Sequence, residues 1–309
     1  MEVIFGLNKI TAQRKSVLTV GTFDGVHLGH REIIKQVLDI AKQKNFTSAL
    51  LTFEPHPKTV IQEYPNRIKL LTTLDEKLTI LQDIGLERVF IARFTREFSE
   101  MTYKNFVEDI LLQKLNASCI IVGYDHSFGR NRAGNFRELE KLSRLYAFDL
   151  KEVGPFKIGD QTVSSSKIRS YIDEGDMENA NKMLGHYYSL EGIVIKGDGR
   201  GQLLSFPTAN LMIENQNKLT PKEGVYAVQC GVLGKSYRGM ANIGYKPTFG
   251  GVSRTVEVHI FDFSTNIYGE KISTQFIKRL REEIKFDSKE ALIKQLNLDK
   301  KNSYDIKIP

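Results

Sequence analysis

"SVLTVGTFDGVHLGH", residues 16–30, decides how the chain begins to fold. Residues 16–23 are mostly apolar and β-branched, as in a buried strand. "HREIIKQVLDIAKQK", starting at residue 30, repeats apolar residues at three- and four-residue intervals, as in an amphipathic helix. Between them stand three glycines, Gly21, Gly25 and Gly29, and two of the six histidines, His27 and His30. The chain thus passes from a strand through a tight turn into a helix, the opening of a β-α-β unit.

The same alternation continues. Strand-like runs at 48–53, 88–94 and 117–123 alternate with helical patterns at 74–85, 103–115 and 136–146. This predicts an α/β, Rossmann-like domain, a parallel sheet with helices on both faces, in which ligands bind beyond the carboxyl ends of the strands. Residues 21–30 leave the first long strand at that edge. Near residue 186 the pattern changes to short alternating strands at 187–197, 208–214, 224–234, 235–244, 254–263 and 271–280, separated by turns that contain Gly and Pro. Such spacing predicts an antiparallel β-barrel, closed by a C-terminal helix at 288–299 with Ser288 as N-cap. The expected domains are 1–185 and 186–309, with the helical stretch 164–185 ending the first.

Composition excludes several classes. With 309 residues, 41% hydrophobic and 26% charged, the chain is expected to be a soluble two-domain protein. No apolar run reaches the length of a membrane span and no secretory leader is visible, so the expected location is cytoplasmic, with no membrane partner. Cys119 and Cys230 sit in apolar runs and suggest neither a disulfide framework nor a zinc site. The net charge of +7 is spread along the chain among acidic residues, without the basic stripe and interleaved aromatics of a nucleic-acid binder.

Three readings of the histidine loop compete. His27 and His30 are three apart, unlike the i, i+4 pair of zinc proteases, and no third ligand stands at a recognisable spacing. A plain strand-to-helix turn explains the glycines and Asp24, but not two histidines at a helix start. Backbone N–H groups at a helix N-terminus attract anions, and imidazoles beside them can donate to phosphate oxygens, so a phosphate site is the preferred reading.

"GTFDGVHLGH" resembles the His-x-Gly-His signature of nucleotidylyltransferases, and "VSSSKIRS" (163–170) is similar to their Ser-Ser-Thr-x-Ile-Arg element. "VGYDHSFGRNRAG" (122–134) resembles a nucleotide- and flavin-holding segment of bacterial bifunctional riboflavin kinase/FAD synthetases. "GDGRGQLLSFPTANL" (197–211), "NIGYKPTF" (242–249), "VEVHIFDF" (256–263) and "FIKRLREEIKF" (276–286) follow in the order of the flavokinase module. By this resemblance the chain is identified as a member of that family. The implied activities are phosphorylation of riboflavin by ATP to FMN, then adenylylation of FMN by ATP to FAD and pyrophosphate. Both use Mg²⁺ with ATP, and FMN and FAD are substrate and product rather than redox cofactors.

The resemblance implies an adenylyltransferase ATP site at Gly21, Phe23, Asp24, His27, Gly29, His30, Ser164, Ser165, Ser166 and Arg169, with flavin contacts at Asp125, Phe128 and Arg130. The FMN phosphate is already a nucleophile, so this step needs aligned donors and no base. Riboflavin's hydroxyl must lose a proton, and Glu257 matches the family's general base; the same alternation also reads as a solvent-facing strand glutamate. The kinase ATP site is implied at Gly197, Gly199, Gly201, Thr208 and Asn210. Thr208 and Asn210 offer hard oxygen ligands for Mg²⁺, and Arg281 is expected beside the flavin. No Walker A lysine is present, Asp198 standing in its place. The chain departs from the family at Ser166 (Thr usual), Ser205 (Gly common), Lys246 (Arg usual) and His126 (an aromatic frequent). Alternative readings are that only one half is active, or that the barrel is a flavin-binding regulatory module.

Overall fold

The strand predicted at 16–23 forms over Ser16–Val20 (β2) and is buried at all five positions. In the computed structural model, which describes residues 1–10, 14–61, 68–197, 199, 201, 204–248 and 251–307, the chain divides into two compact units, Met1–Ser165 and Ser166–Pro309.

In the first unit β2 lies between β3 (Thr47–Glu54) and β5 (Ala117–Gly123). With β1 (Glu2–Phe5), β4 (Arg88–Arg93) and β6 (Asp149–Val153) they form a six-stranded sheet of order β1-β4-β3-β2-β5-β6, every neighbouring pair parallel. Strand order reverses at β2, which makes its carboxyl end the topological switch point. Successive strand residues point to opposite faces, so two cores form. Val17 and Leu50 pack with Ile34 and Val37 of α1 (Leu28–Lys44) on one face; α2 (Pro57–Ile61) is short, and α3 (Leu74–Ile84) adds Leu81. Leu18 and Leu51 pack on the other face with Phe106 and Ile110, which follow α4 (Arg96–Ser99) and α5 (Tyr103–Asn105) in a π-helical segment, and with Leu139 of α6 (Phe136–Tyr146). Local chemistry sets the ends of α3. Thr73 and Glu76 form a reciprocal capping box, and Gly85 closes the helix in the left-handed region at φ 92°. A hairpin of β7 (Lys157–Ile158) and β8 (Gln161–Thr162) completes the unit.

The second unit opens with α7 (Ser165–Glu174), whose first residue closes the unit before it, and α8 (Met177–Leu184). Six strands follow: β9 (Tyr188–Ile195), β10 (Ala209–Met212), β11 (Gly224–Val232), β12 (Lys235–Thr248), β13 (Gly251–Ile260) and β14 (Lys271–Arg281). They close an antiparallel barrel of order β10-β13-β12-β11-β14-β9, leaving no edge to template aggregation. Alternation is plain in β9, where Tyr188, Leu190 and Val194 are buried and their neighbours are not. Asn181 fastens α8 to the barrel: Nδ2 donates to Phe276 O at 2.8 Å, and Oδ1 accepts from Tyr188 N at 2.7 Å.

Ser288 caps the last helix, α9 (Lys289–Asp305), accepting from Ala291 N at 3.1 Å. The helix runs past the expected residue 299 because its final turn is held in place. Tyr304 stacks on Phe261 at 5.0 Å and its hydroxyl donates to Asp262 at 2.7 Å. Deeper in, the Asp299 carboxylate is 1% exposed and accepts from Arg281 Nε at 3.0 Å, Arg281 Nη2 at 2.7 Å and Gln295 Nε2 at 2.8 Å. Removing one partner of a buried pair strands the other charge, so Asp299→Ala should destabilise the barrel by about 3–5 kcal/mol. Denaturant titration checks this; an unchanged midpoint would mean that the pair does not anchor α9.

Candidate active sites

In the first unit the loop after β2 turns sharply: Phe23, Gly25 and Val26 have φ of 47°, 85° and 39°. Two of these residues are not glycine, so the turn must be held against backbone strain. Asp24 holds it. Its buried carboxylate accepts from Leu71 N and Thr72 N, each at 3.0 Å, and Gly25 N donates to Thr72 Oγ1 at 3.0 Å. The Asp24 carbonyl accepts from Ser165 Oγ at 3.0 Å, and Gly21 N continues the sheet by donating to Leu51 O.

His27 is the N-cap of α1. Its Nδ1 accepts from His30 N at 3.3 Å, a bond that assigns the proton of the neutral ring to Nε2. The two imidazoles stack with centroids 3.6 Å apart, and Phe23 lies 4.7 Å from His30. Gly29 is needed for this approach, since a Cβ there would meet the His27 ring at 3.3 Å. Burial above all, then the charges of His27 and Lys77, hold His30 well below the ordinary imidazole pKa, so it is neutral at neutral pH. Its Nδ1 is buried without a hydrogen-bonding partner among the described residues. Imidazole N–H donors beside a helix N-terminus suit an anion whose charge grows during reaction.

The 122–134 segment leaves β5, the strand beside β2. Phe128 pairs with Gly134 through two backbone bonds of 3.0 and 2.9 Å and packs on Phe106 at 5.6 Å. Asp125 is exposed, as is Arg130, which pairs with Glu100 at 2.9 Å. Ser164 precedes α7, while Ser166 and Arg169 lie on α7 within the second unit.

Two cavities of about 300 and 400 Å³ adjoin in the barrel. Gly199, Gly201, Thr208 and Asn210 line both, Gly197 only the first, and Glu257 and Arg281 only the second. Cross-strand register sets Glu257 of β13 opposite Asn210 of β10 and Asn242 of β12, and Thr208 Oγ1 donates to Glu257 Oε2 at 3.3 Å. Gly197 lies so close to Asn210 that any Cβ would collide with its side chain. The two cavities therefore share a hydroxyl and an amide, and the second adds the carboxylate that the hydroxyl bonds. Oxygen donors of this kind fit Mg²⁺, and among the described residues no three His, Cys, Asp or Glu side chains group as a metal cage.

Three residues escaped the sequence reading. His259 shares a strand face with Glu257, and its Nδ1 lies 2.7 Å from Pro207 O, the residue before Thr208. Its i+2 spacing from Glu257 was the available signal. Asp299 ties down the Arg281 guanidinium, so Arg281 lines the cavity as an anchored residue. Lys77 is 4% exposed, and no local pattern reveals that burial.

Residues 9–167 match the family model described as FAD synthetase, and residues 184–307 the one described as riboflavin kinase. The bifunctional riboflavin kinase/FMN adenylyltransferase of Listeria monocytogenes is 40% identical over 93% of this chain and 91% of its own. Proteins of the same name from Bacillus subtilis and Escherichia coli are 36% and 35% identical, covering 94% and 97% of this chain and 92% and 96% of theirs. A solved structure from Streptococcus pneumoniae, described as a macrolide-efflux protein, superposes with a TM-score of 0.91 at 29% identity, covering 99% of this chain and all of its own. Among the described residues no helix is long and apolar enough to cross a membrane.

The sequence departures have different structural weight. His126 is held neutral, its pKa lowered to about 4 by burial and by Arg132, and it stacks on Phe128 at 5.4 Å, doing the packing work of an aromatic. The side chain of Lys246, like all of Asp198, lies outside the described residues. Ser205 has φ 62°, the left-handed region in which glycine is unstrained. That conformation costs an L-residue roughly 1–2 kcal/mol, partly offset in a glycine variant by a more flexible unfolded chain. Ser205→Gly should therefore stabilise the barrel by about 0.5–1 kcal/mol. Thermal unfolding checks this, and a lowered midpoint would contradict it.

Proposed function

The chain belongs to the bifunctional riboflavin kinase/FMN adenylyltransferase family, and from that premise we propose that it makes FAD from riboflavin in two ATP-dependent steps, each in its own domain. Residues 186–309 phosphorylate riboflavin to FMN, and residues 1–185 adenylylate FMN to FAD. What carries this reading is that the two centres hold different chemistry, each suited to one nucleophile. The barrel has a carboxylate lining its second cavity, bonded to the Thr208 hydroxyl that both cavities share. The α/β unit has two stacked imidazoles at a helix start, His30 held neutral by burial, and no carboxylate free of structural work in the turn itself, where Asp24 is bound by Leu71 and Thr72.

In the kinase step an alcohol attacks the γ-phosphorus of ATP. Glu257 accepts the hydroxyl proton as the new O–P bond forms, and ADP leaves with the electrons of the broken bond. The bond from Thr208 orients the carboxylate, and His259 fixes the Pro207 carbonyl beside it. Thr208 and Asn210 would hold Mg²⁺ together with the ATP phosphates, Gly197, Gly199 and Gly201 admit those phosphates close to the backbone, and Arg281 borders the flavin. When bound, the ion neutralises charge developing on the transferred phosphoryl group.

In the adenylyl step a phosphate oxygen of FMN attacks the α-phosphorus, and pyrophosphate departs. No proton has to be removed. His27 and His30 donate to the phosphates, Gly21, Phe23, Asp24 and Gly29 shape the loop that receives them, and Ser164, Ser165, Ser166 and Arg169 hold the pyrophosphate end. Asp125, Phe128 and Arg130 contact the flavin. Partners are thus riboflavin, FMN and ATP, with no nucleic acid and no membrane, and the expected compartment is the cytoplasm.

Incubation with riboflavin, ATP and Mg²⁺, followed by chromatographic separation of flavins, tests this reading. The double variant His27→Ala, His30→Ala should still form FMN, while FAD formation falls by about 10²–10³, as when preorganised donors are lost elsewhere. FAD formation at the parental rate would refute the role of the histidines.

A further inference from the structure

Lys77 is a buried cation that the two proposed steps leave without a task. It stands in the first turn of α3, where the helix dipole disfavours positive charge, and its 4% exposure adds a desolvation penalty. Burial accordingly lowers its pKa, opposed by the nearby carboxylates of Asp24 and Glu54. Among the described residues its ammonium, with three donors, has one hydrogen-bonding partner, Thr52 Oγ1 at a long 3.5 Å. Thr52 is fully buried on the C-terminal half of β3, and its hydroxyl donates to Thr22 O at 3.3 Å, inside the loop that precedes His27. A residue that opposes the helix dipole and is almost wholly desolvated is poorly explained as a stabiliser of α3.

We infer that Lys77 is a positioning residue for adenylyl transfer: seated on Thr52 beneath the Thr22–Asp24 turn, its ammonium supplies a fixed positive charge that holds this loop and the phosphates it receives against the His27–His30 stack. The inference rests on the adenylyltransferase reading of the first unit. As the oxygen–phosphorus bond from FMN forms and the bond between the α- and β-phosphates breaks, the electron pair moves to pyrophosphate. The imidazole of His30 is neutral, so a charge fixed in the floor of the site complements its donor. The groups that set this field are His27 and Lys77 facing His30, Asp24 and Glu54 facing Lys77, and Asp75 facing Glu54.

Lys77→Met in the full chain tests the inference, since methionine keeps much of the length and removes the charge. The expected result is a fall of about 10² in kcat for FAD formation from FMN, with KM for ATP and FMN changed little and riboflavin phosphorylation at the parental rate. The His30 imidazole, followed by NMR, should titrate at a higher pH than in the parent, because a neighbouring positive charge has been removed. Parental kcat in folded Lys77→Met overturns the proposal. If Lys77→Met unfolds the first unit, Glu54→Gln/Lys77→Met, which neutralises Lys77 together with the half-buried carboxylate near it, decides. A folded but slow double variant supports the proposal, whereas a folded one with parental kcat, or an unfolded one, makes Lys77 a structural residue. The unsubstituted protein run alongside separates the two levels: if it forms no FAD from FMN, adenylyl transfer itself falls and Lys77's part with it.

Discussion

The Asp24 carboxylate, bonded to the amides of Leu71 and Thr72, holds the turn on which the first site depends. β2 is buried along its whole length, so its chemistry can emerge only at its carboxyl end, where the strand order reverses. The chain must turn there within a few residues to start α1, through positive φ at Phe23 and Val26 that those side chains resist. Bonding Asp24 to a distant loop fixes that strained turn, and His27 then caps α1 with its ring against His30. Without the clamp, neither imidazole has a defined direction.

The barrel meets a different requirement with different means. Closure satisfies every strand edge, and cross-strand register rather than a single loop builds the site, aligning Asn210, Glu257 and Asn242 across three strands. A carboxylate base belongs where an alcohol must lose its proton. Rigid donors suffice where a phosphate attacks. On the proposed reading, this difference between the two folds gives each transfer groups suited to its own nucleophile.

Much of this organisation was legible in the sequence, because it depends on local period. The central strands β2, β3, β4 and β5, the helices α1, α3 and α6, all six barrel strands and the cap at Ser288 follow from alternation, three- and four-residue spacing and capping chemistry. The edge strands β1 and β6 did not stand out: each is four or five residues long and partly exposed, so burial wrote little apolar pattern into it. The site residues divide along the same line. The candidates His27, His30 and Glu257 stood out through motifs, and the positive φ at Ser205 through a glycine missing from its usual place. Lys77 and Asp299 were not, since a lysine or aspartate on a helix reads as a solvated residue until tertiary packing buries it.

The central claim is that the two halves carry separable chemistries, and Glu257→Gln examines it most directly. The substitution preserves size and some hydrogen bonding but removes basicity. Riboflavin phosphorylation should fall by about 10²–10⁴, the usual worth of a positioned general base, whereas FMN supplied directly should be adenylylated at the parental rate. Normal phosphorylation of riboflavin by this variant, or loss of both activities in a folded protein, would contradict the account.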